Sequence, residues 1–354
     1  MTQPIGAPGR PFDWTGPDEP TSPTLYPPLS DPPEPPDLPA VDGERYPGLG
    51  RSAAESPVAQ IIFAHHRAHD AVMQQRLDAF RKTLLAPYHM NTDSVPVAPP
   101  FQMMRPVAPD KLRHLTAIAT SLKIGPADLN RVVHGRGTPD QVHRLTQRLI
   151  DEGSVPAPST EARTLEARVR LMMHQHGLGF DCTGYVAPAF LASRGLDRAH
   201  SPLAGRPAEN EDLSALDSRG FAPVSVDATR PGDIIVLDPP RYESVGHRAI
   251  VYASRDATRE DRMNLGALLE MNAAGAVDDL VPKMLQATDL RVIHVDSSWG
   301  SGGDPRAGGV NRCAWWHSAS TGTWAWTDRS GQLAAGRQPY DHPLQAAYRP
   351  RGEL

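Results

Sequence analysis

The sequence predicts an α+β fold, with helices first and antiparallel strands afterwards. Three patterns carry that prediction. Val58 to Leu85 runs without Pro or Gly, and its apolar residues (Ile61, Ile62, Ala68, Val72, Leu77, Phe80, Leu84) recur at helical spacing. In the later part of the chain, short apolar runs alternate with turn residues, as strands do. Of 37 prolines in 354 residues, 15 fall in the first 60, so the packed part begins after them.

Residues 1–56 read as a disordered Pro-rich leader. Its run PPLSDPPEPPDLP, at 27–39, cannot donate a hydrogen-bond ladder and has little to bury, so a disordered or polyproline-II segment is expected. Such a leader is a solvated tail or a docking segment for a partner. Residues 57–156 form a helical region. Pro87 ends its first helix, and a Pro-rich linker, 95–109, leads to three short helices over 110–152. Thr138-Pro139 has the form of a helix start, with Thr as N-cap and Pro first in the helix. Gly153 suits the helix end.

Residues 157–354 make the third part. A helix ending at Gly177 leads into FDCTGYVAPAFLASRG, where Pro188 should bend or shorten a second helix. Strand-like runs follow at 233–238, 247–253, 290–298 and 313–327, and YDHPLQAAYRPR adds a closing strand. Residues 254–289 interrupt the strands as a helical insertion.

Composition narrows the function. The net charge of −5 argues against a polybasic nucleic-acid or membrane-surface protein. Two cysteines make neither a disulfide scaffold nor a Cys-rich zinc module. No window approaches the length of a membrane-spanning helix. The first residues lack a basic and an apolar region, so no signal peptide is read and the chain is expected to be cytoplasmic as synthesised. Arginine far outnumbers the four lysines (Lys82, Lys111, Lys123, Lys283), a bias typical of GC-rich bacterial genomes.

The chemistry concentrates in three pieces. A thiol becomes a nucleophile as thiolate, and a helix N-terminus or a nearby imidazolium favours that form. Asp181 can cap a helix starting at Cys182, whose first-turn N–H groups can also meet an oxyanion. His247 opens an apolar strand after Gly246 and can act as general base. A third polar group should orient that imidazole. His294 sits between Ile293 and Val295 on a later strand, and Asp296 shares its face by two-residue alternation, so either could serve.

In this order, the pieces resemble the NlpC/P60 family of papain-like cysteine peptidases and their CHAP-related amidase relatives. Asp181-Cys182-Thr183-Gly184 is similar to the family's Asp-Cys-Ser-Gly nucleophile motif, with Thr for Ser. RPGDIIVL resembles its Pro-Gly-Asp strand, GHRAIVYA its histidine strand, and VIHVDSS the strand of its third polar residue. The resemblance covers roughly 165–327. It implies a papain-like domain in which an N-terminal nucleophile helix packs on an antiparallel sheet. It further implies amide hydrolysis, most often in the stem peptides of bacterial peptidoglycan, with no cofactor and no metal. Cys182 would be the nucleophile, His247 the base and His294 the orienting residue, with Asp296 its alternative. Asp181, Thr183 and Gly184 would border the substrate and the oxyanion. The family's Tyr-x-Trp-Gly-Gly run is absent, and the 254–289 insertion replaces a tight turn, as a lid or an interface.

A hydrolase of this kind without an export signal reads as a toxin or effector, delivered by a secretion or contractile injection machine that engages the leader. Two other functions remain open: acyl transfer or deamidation on a host protein, and non-catalytic binding through the helical region. That region resembles a helix-turn-helix over 110–152, with 126–134 as recognition helix, and faintly a LysM module. Packing is the plainer reading, and nucleic acid is not an expected partner. His65 and His69 are spaced to share a helix face but lack a third metal ligand. His174 and His176 fit a turn or the cleft, and Cys313 fits a strand core.

Overall fold

The computed structural model describes residues 57–91, 93–102, 107–160, 162–196, 216, 220–237, 247–271, 280–300, 308–327, 333–336 and 344–353, apart from the side chains of 57–63, 65 and 345. The leader assigned to 1–56, Gly246 and the Gly-rich stretch 301–307 lie outside them. The described residues belong to one compact unit, Pro35–Leu354. Among them no helix is long and apolar enough to cross a membrane.

The architecture is α+β. Helix α1 (Pro57–Leu84) buries Met73, Leu77, Phe80 and Leu84, a stripe at three- and four-residue spacing. A hairpin of β1 (Tyr88–Met90) and β2 (Asp93–Val95), which the sequence pattern did not suggest, follows it. Helices α2 (Pro109–Ser121), α3 (Pro126–Val133) and α4 (Pro139–Asp151) match the three expected. Thr138 accepts from the Gln141 N–H while the Gln141 side chain accepts from the Thr138 N–H. That capping box satisfies two donors which α4 would otherwise leave open. Helices α5 (Leu165–Gln175) and α6 (Cys182–Arg194) come next. α6 continues through Pro188 for 13 residues, neither broken nor short, and ends at Gly195 in the left-handed region.

The sheet has eight strands, all neighbours antiparallel: β3 (Phe221–Val224), β10 (Leu344–Pro350), β4 (Ile234–Leu237), β5 (His247–Asp256), β6 (Arg291–Trp299), β7 (Gly309–Ser318), β8 (Thr323–Thr327) and β9 (Leu333–Gly336). The expected closing strand forms and lies between β3 and β4. The insertion contributes α7 (Arg259–Met271) and α8 (Leu280–Gln286), bringing the described helices to eight.

Strand alternation divides the core. Ile234, Val236, Ile250 and Val310 face the helices and share one cluster with Leu115, Val132, Leu149, Met172 and Phe190. The helices of 57–156 and the sheet are therefore packed around common residues. The other face gathers Ile235, Ala249, Val251, Val295, Cys313 and Trp315. α7 and α8 place Leu265, Val281 and Met284 over Val292, Trp316 and Ala325. They leave the sheet at Asp256, and the ten residues of β5 put about 30 Å between that end and His247. Their packing lies away from the strand end where His247 sits.

Candidate active site

Three segments fix the residue ahead of α6. The Phe180 N–H donates to the Pro100 carbonyl (3.1 Å), and its carbonyl accepts from the Gln102 N–H (3.0 Å) and the Ser298 hydroxyl (2.6 Å). The Asp181 N–H donates to the Gly135 carbonyl, 3.0 Å away in the α3–α4 turn. The linker, the helical region and β6 thus all grip one short loop.

Asp181 caps α6. Its carboxylate accepts from the Gly184 and Thr183 N–H groups and from Arg136 Nε at 3.2 Å. Burial raises its pKa, and these donors oppose the rise. Gly184 lies against the Gly135 carbonyl, where any Cβ would overlap it. Gly135 has φ +77, and the Gln102 carbonyl and Asp181 N–H fill its own Cβ position. Both positions therefore require glycine.

Cys182 is the first residue of α6 and is 8% exposed. Burial pushes its thiol up to about 11, and the Asp181 charge adds to the rise. The Arg248 backbone N–H, the Arg248 charge and the Thr183 hydroxyl work in the opposite direction. The sulfur therefore lies near Arg248, the residue that follows His247, while the His247 side chain is on the opposite face of the sheet from α6.

His247 begins β5 on the face of Ala249 and Val251. Its Nε2 lies 3.1 Å from Ser297 Oγ, and its ring stacks on Trp299 at 3.8 Å between centroids and 24° between planes. The Ser297 hydroxyl donates its one proton to the Arg248 carbonyl at 2.6 Å, so toward the imidazole it acts as acceptor. A neutral His247 then carries its proton on Nε2.

His294 and Asp296 point the other way. β6 alternates, so Ser297 and Trp299 lie on the His247 face while His294, Asp296 and Ser298 lie on the helix face. Asp296 is fully buried and held by Arg312 at 2.7 and 2.8 Å, with Arg81 at 3.5 Å. His294 pairs with Ala253 and Ala314, some 10 Å along the strand from Ser297. Burial, helped by the charges of Arg255 and Arg312, lowers its pKa. The structure gives His247 a hydrogen bond to Ser297 and none to either candidate.

Ser297, Arg248 and Arg136 were not picked out by sequence reasoning. Ser297 adjoins the VIHVD run, and a register one residue different would have exposed it as a candidate. Arg136 stands out in the sequence only as one of the arginines that make the helix-turn-helix-like segment basic. Of the remaining residues, His176 is buried at the end of α5 with Nδ1 2.9 Å from the Met172 carbonyl, a turn role. Cys313 packs in the sheet's second core and accepts from Asn311 Nδ2. The His65 side chain lies outside the described residues, among which no group of three His, Cys, Asp or Glu could hold a metal ion. Compared with known proteins, the chain matches no family model, no curated protein and no solved structure.

Proposed function

We propose that this chain is a papain-like cysteine hydrolase of NlpC/P60 type that cleaves an amide bond, with peptidoglycan stem peptides as substrate. One observation carries the proposal. A cysteine at a helix N-terminus lies by the backbone of Arg248, and the residue before Arg248 in the chain is a histidine with Nε2 3.1 Å from a serine hydroxyl.

In the proposed reaction His247, whose side chain lies on the face of β5 away from α6, turns toward Cys182 and takes its proton as the sulfur attacks the carbonyl carbon. The thiol is uncharged at rest, so proton transfer accompanies attack rather than preceding it. Asp181 already occupies the Thr183 and Gly184 N–H groups, which leaves the Cys182 N–H as the first-turn donor for the oxyanion. The tetrahedral adduct expels the amine, which receives the proton from His247. Water, deprotonated by His247, then hydrolyses the thioester and restores the thiol. At rest Ser297 holds the imidazole by Nε2, the contact first expected of His294 or Asp296.

The test is mass spectrometry of purified peptidoglycan digested with the wild-type chain and with Cys182→Ala. New muropeptide fragments from the wild type alone support the proposal and identify the bond. A second reading has its own observation: a thiol 8% exposed and raised to about 11 is also what an inert core cysteine shows. Iodoacetamide separates the two. Selective alkylation of Cys182 near neutral pH without peptidoglycan cleavage would redirect the reading to a transferase or deamidase. Resistance to alkylation would favour a binding protein.

A further inference from the structure

We propose that Arg136, on the α3–α4 turn of the helical region, is a positioning residue of the nucleophile: its guanidinium holds Asp181 and balances its charge beside Cys182. This rests on the catalytic reading of Cys182.

The argument begins from a conflict in the loop. Asp181 is the cap on which α6 starts, since its carboxylate takes the Thr183 and Gly184 N–H groups. The same carboxylate is the residue before Cys182, and a negative charge there opposes formation of a thiolate. Arg136 Nε reaches it at 3.2 Å. The approach is built into the backbone. The Asp181 N–H donates to Gly135, and Gly184 admits the Gly135 carbonyl only because it lacks a Cβ. A turn formed more than 40 residues earlier is thereby locked onto the start of the nucleophile helix.

Among the described residues, the sulfur's own loop brings Asp181, β5 brings Arg248 and the turn brings Arg136. Asp296 of β6 faces Arg312, and Arg81 of α1 joins that pair on the helix side. Arg136 is the cation bound directly to the charge that hinders the thiol.

The experiment follows iodoacetamide alkylation of Cys182 in the full chain by peptide mass spectrometry, from about pH 6 to about pH 10. Arg136→Gln should move the half-maximal rate upward by about one pH unit, with an unchanged circular dichroism spectrum. Arg136→Lys should move it less. Asp181→Asn keeps a capping side chain and should move it downward. The double variant Arg136→Gln/Asp181→Asn should return to the wild-type profile or below, because the charge to be balanced is gone. A wild-type profile in Arg136→Gln overturns the proposal, as does a double variant that keeps the upward shift. If Arg136→Gln does not fold, the single Asp181→Asn variant decides: an unchanged midpoint overturns the proposal. A wild-type Cys182 that resists alkylation at every pH overturns the catalytic reading, and this inference with it.

Discussion

His247 shows how one hydroxyl can set the chemistry of a ring. Ser297 spends its only proton on the Arg248 carbonyl and so accepts from Nε2. Trp299 stacks on the ring from one side. Ser297→Ala should therefore lower turnover of a muropeptide amide by about tenfold to a hundredfold, with the fold intact and the pH–rate profile altered. His294→Ala should have a smaller effect, because His294 projects from the opposite face of β6. Steady-state kinetics of the two variants side by side make the check, and equal losses would return the orienting role to His294.

At the level of elements, α1, β6 and β7 are tied together by a charge cluster centred on buried Asp296. Arg312 of β7 grips Asp296 of β6 with two hydrogen bonds, lies over the Tyr252 ring at 3.3 Å and reaches Asp78 of α1 at 3.1 Å. Tyr185 of α6 is buried, and burial together with the nearby Asp296 charge raises the tyrosine's pKa. Arg312 is held protonated by Asp296 and Asp78 even though burial works against its charge. Removing Asp296 would leave that cation uncompensated, so Asp296→Ala should destabilise the fold by about 3–5 kcal/mol. Urea denaturation measures this, and a loss under about 1 kcal/mol would mean that water replaces the carboxylate.

For the whole molecule, the shared core predicts cooperative unfolding. Leu149 of α4 and Ile250 of β5 belong to one buried cluster. Five of the six tryptophans, Trp299, Trp315, Trp316, Trp324 and Trp326, lie in β6, β7 and β8, so fluorescence reports on the sheet while circular dichroism follows the helices. The two signals should melt together. Leu149→Ala, in the helical region, should shift the tryptophan transition by about 2–5 kcal/mol. Separate transitions would show that the helical region folds on its own.

Local chemistry decided what the sequence alone could show. The α+β class, the helix over 58–85, the capped start at Thr138 and the apolar strands at 233–238, 247–253 and 290–298 follow from periodicity, capping and turn residues, which act over a few positions. Cys182 was legible as the start of a helix for the same reason, with Asp181 ahead of it. Only the tertiary structure decided the rest. Which β6 residue meets His247 depends on register, shifted by an irregularity between Val251 and Ala253, and a one-residue slip exchanges Asp296 for Ser297. The place of β10 between β3 and β4 depends on pairing across more than 100 residues. The grip of Arg136 and Gly135 on the nucleophile loop needs two distant backbones to approach until only glycine fits, a condition that no short-range preference encodes.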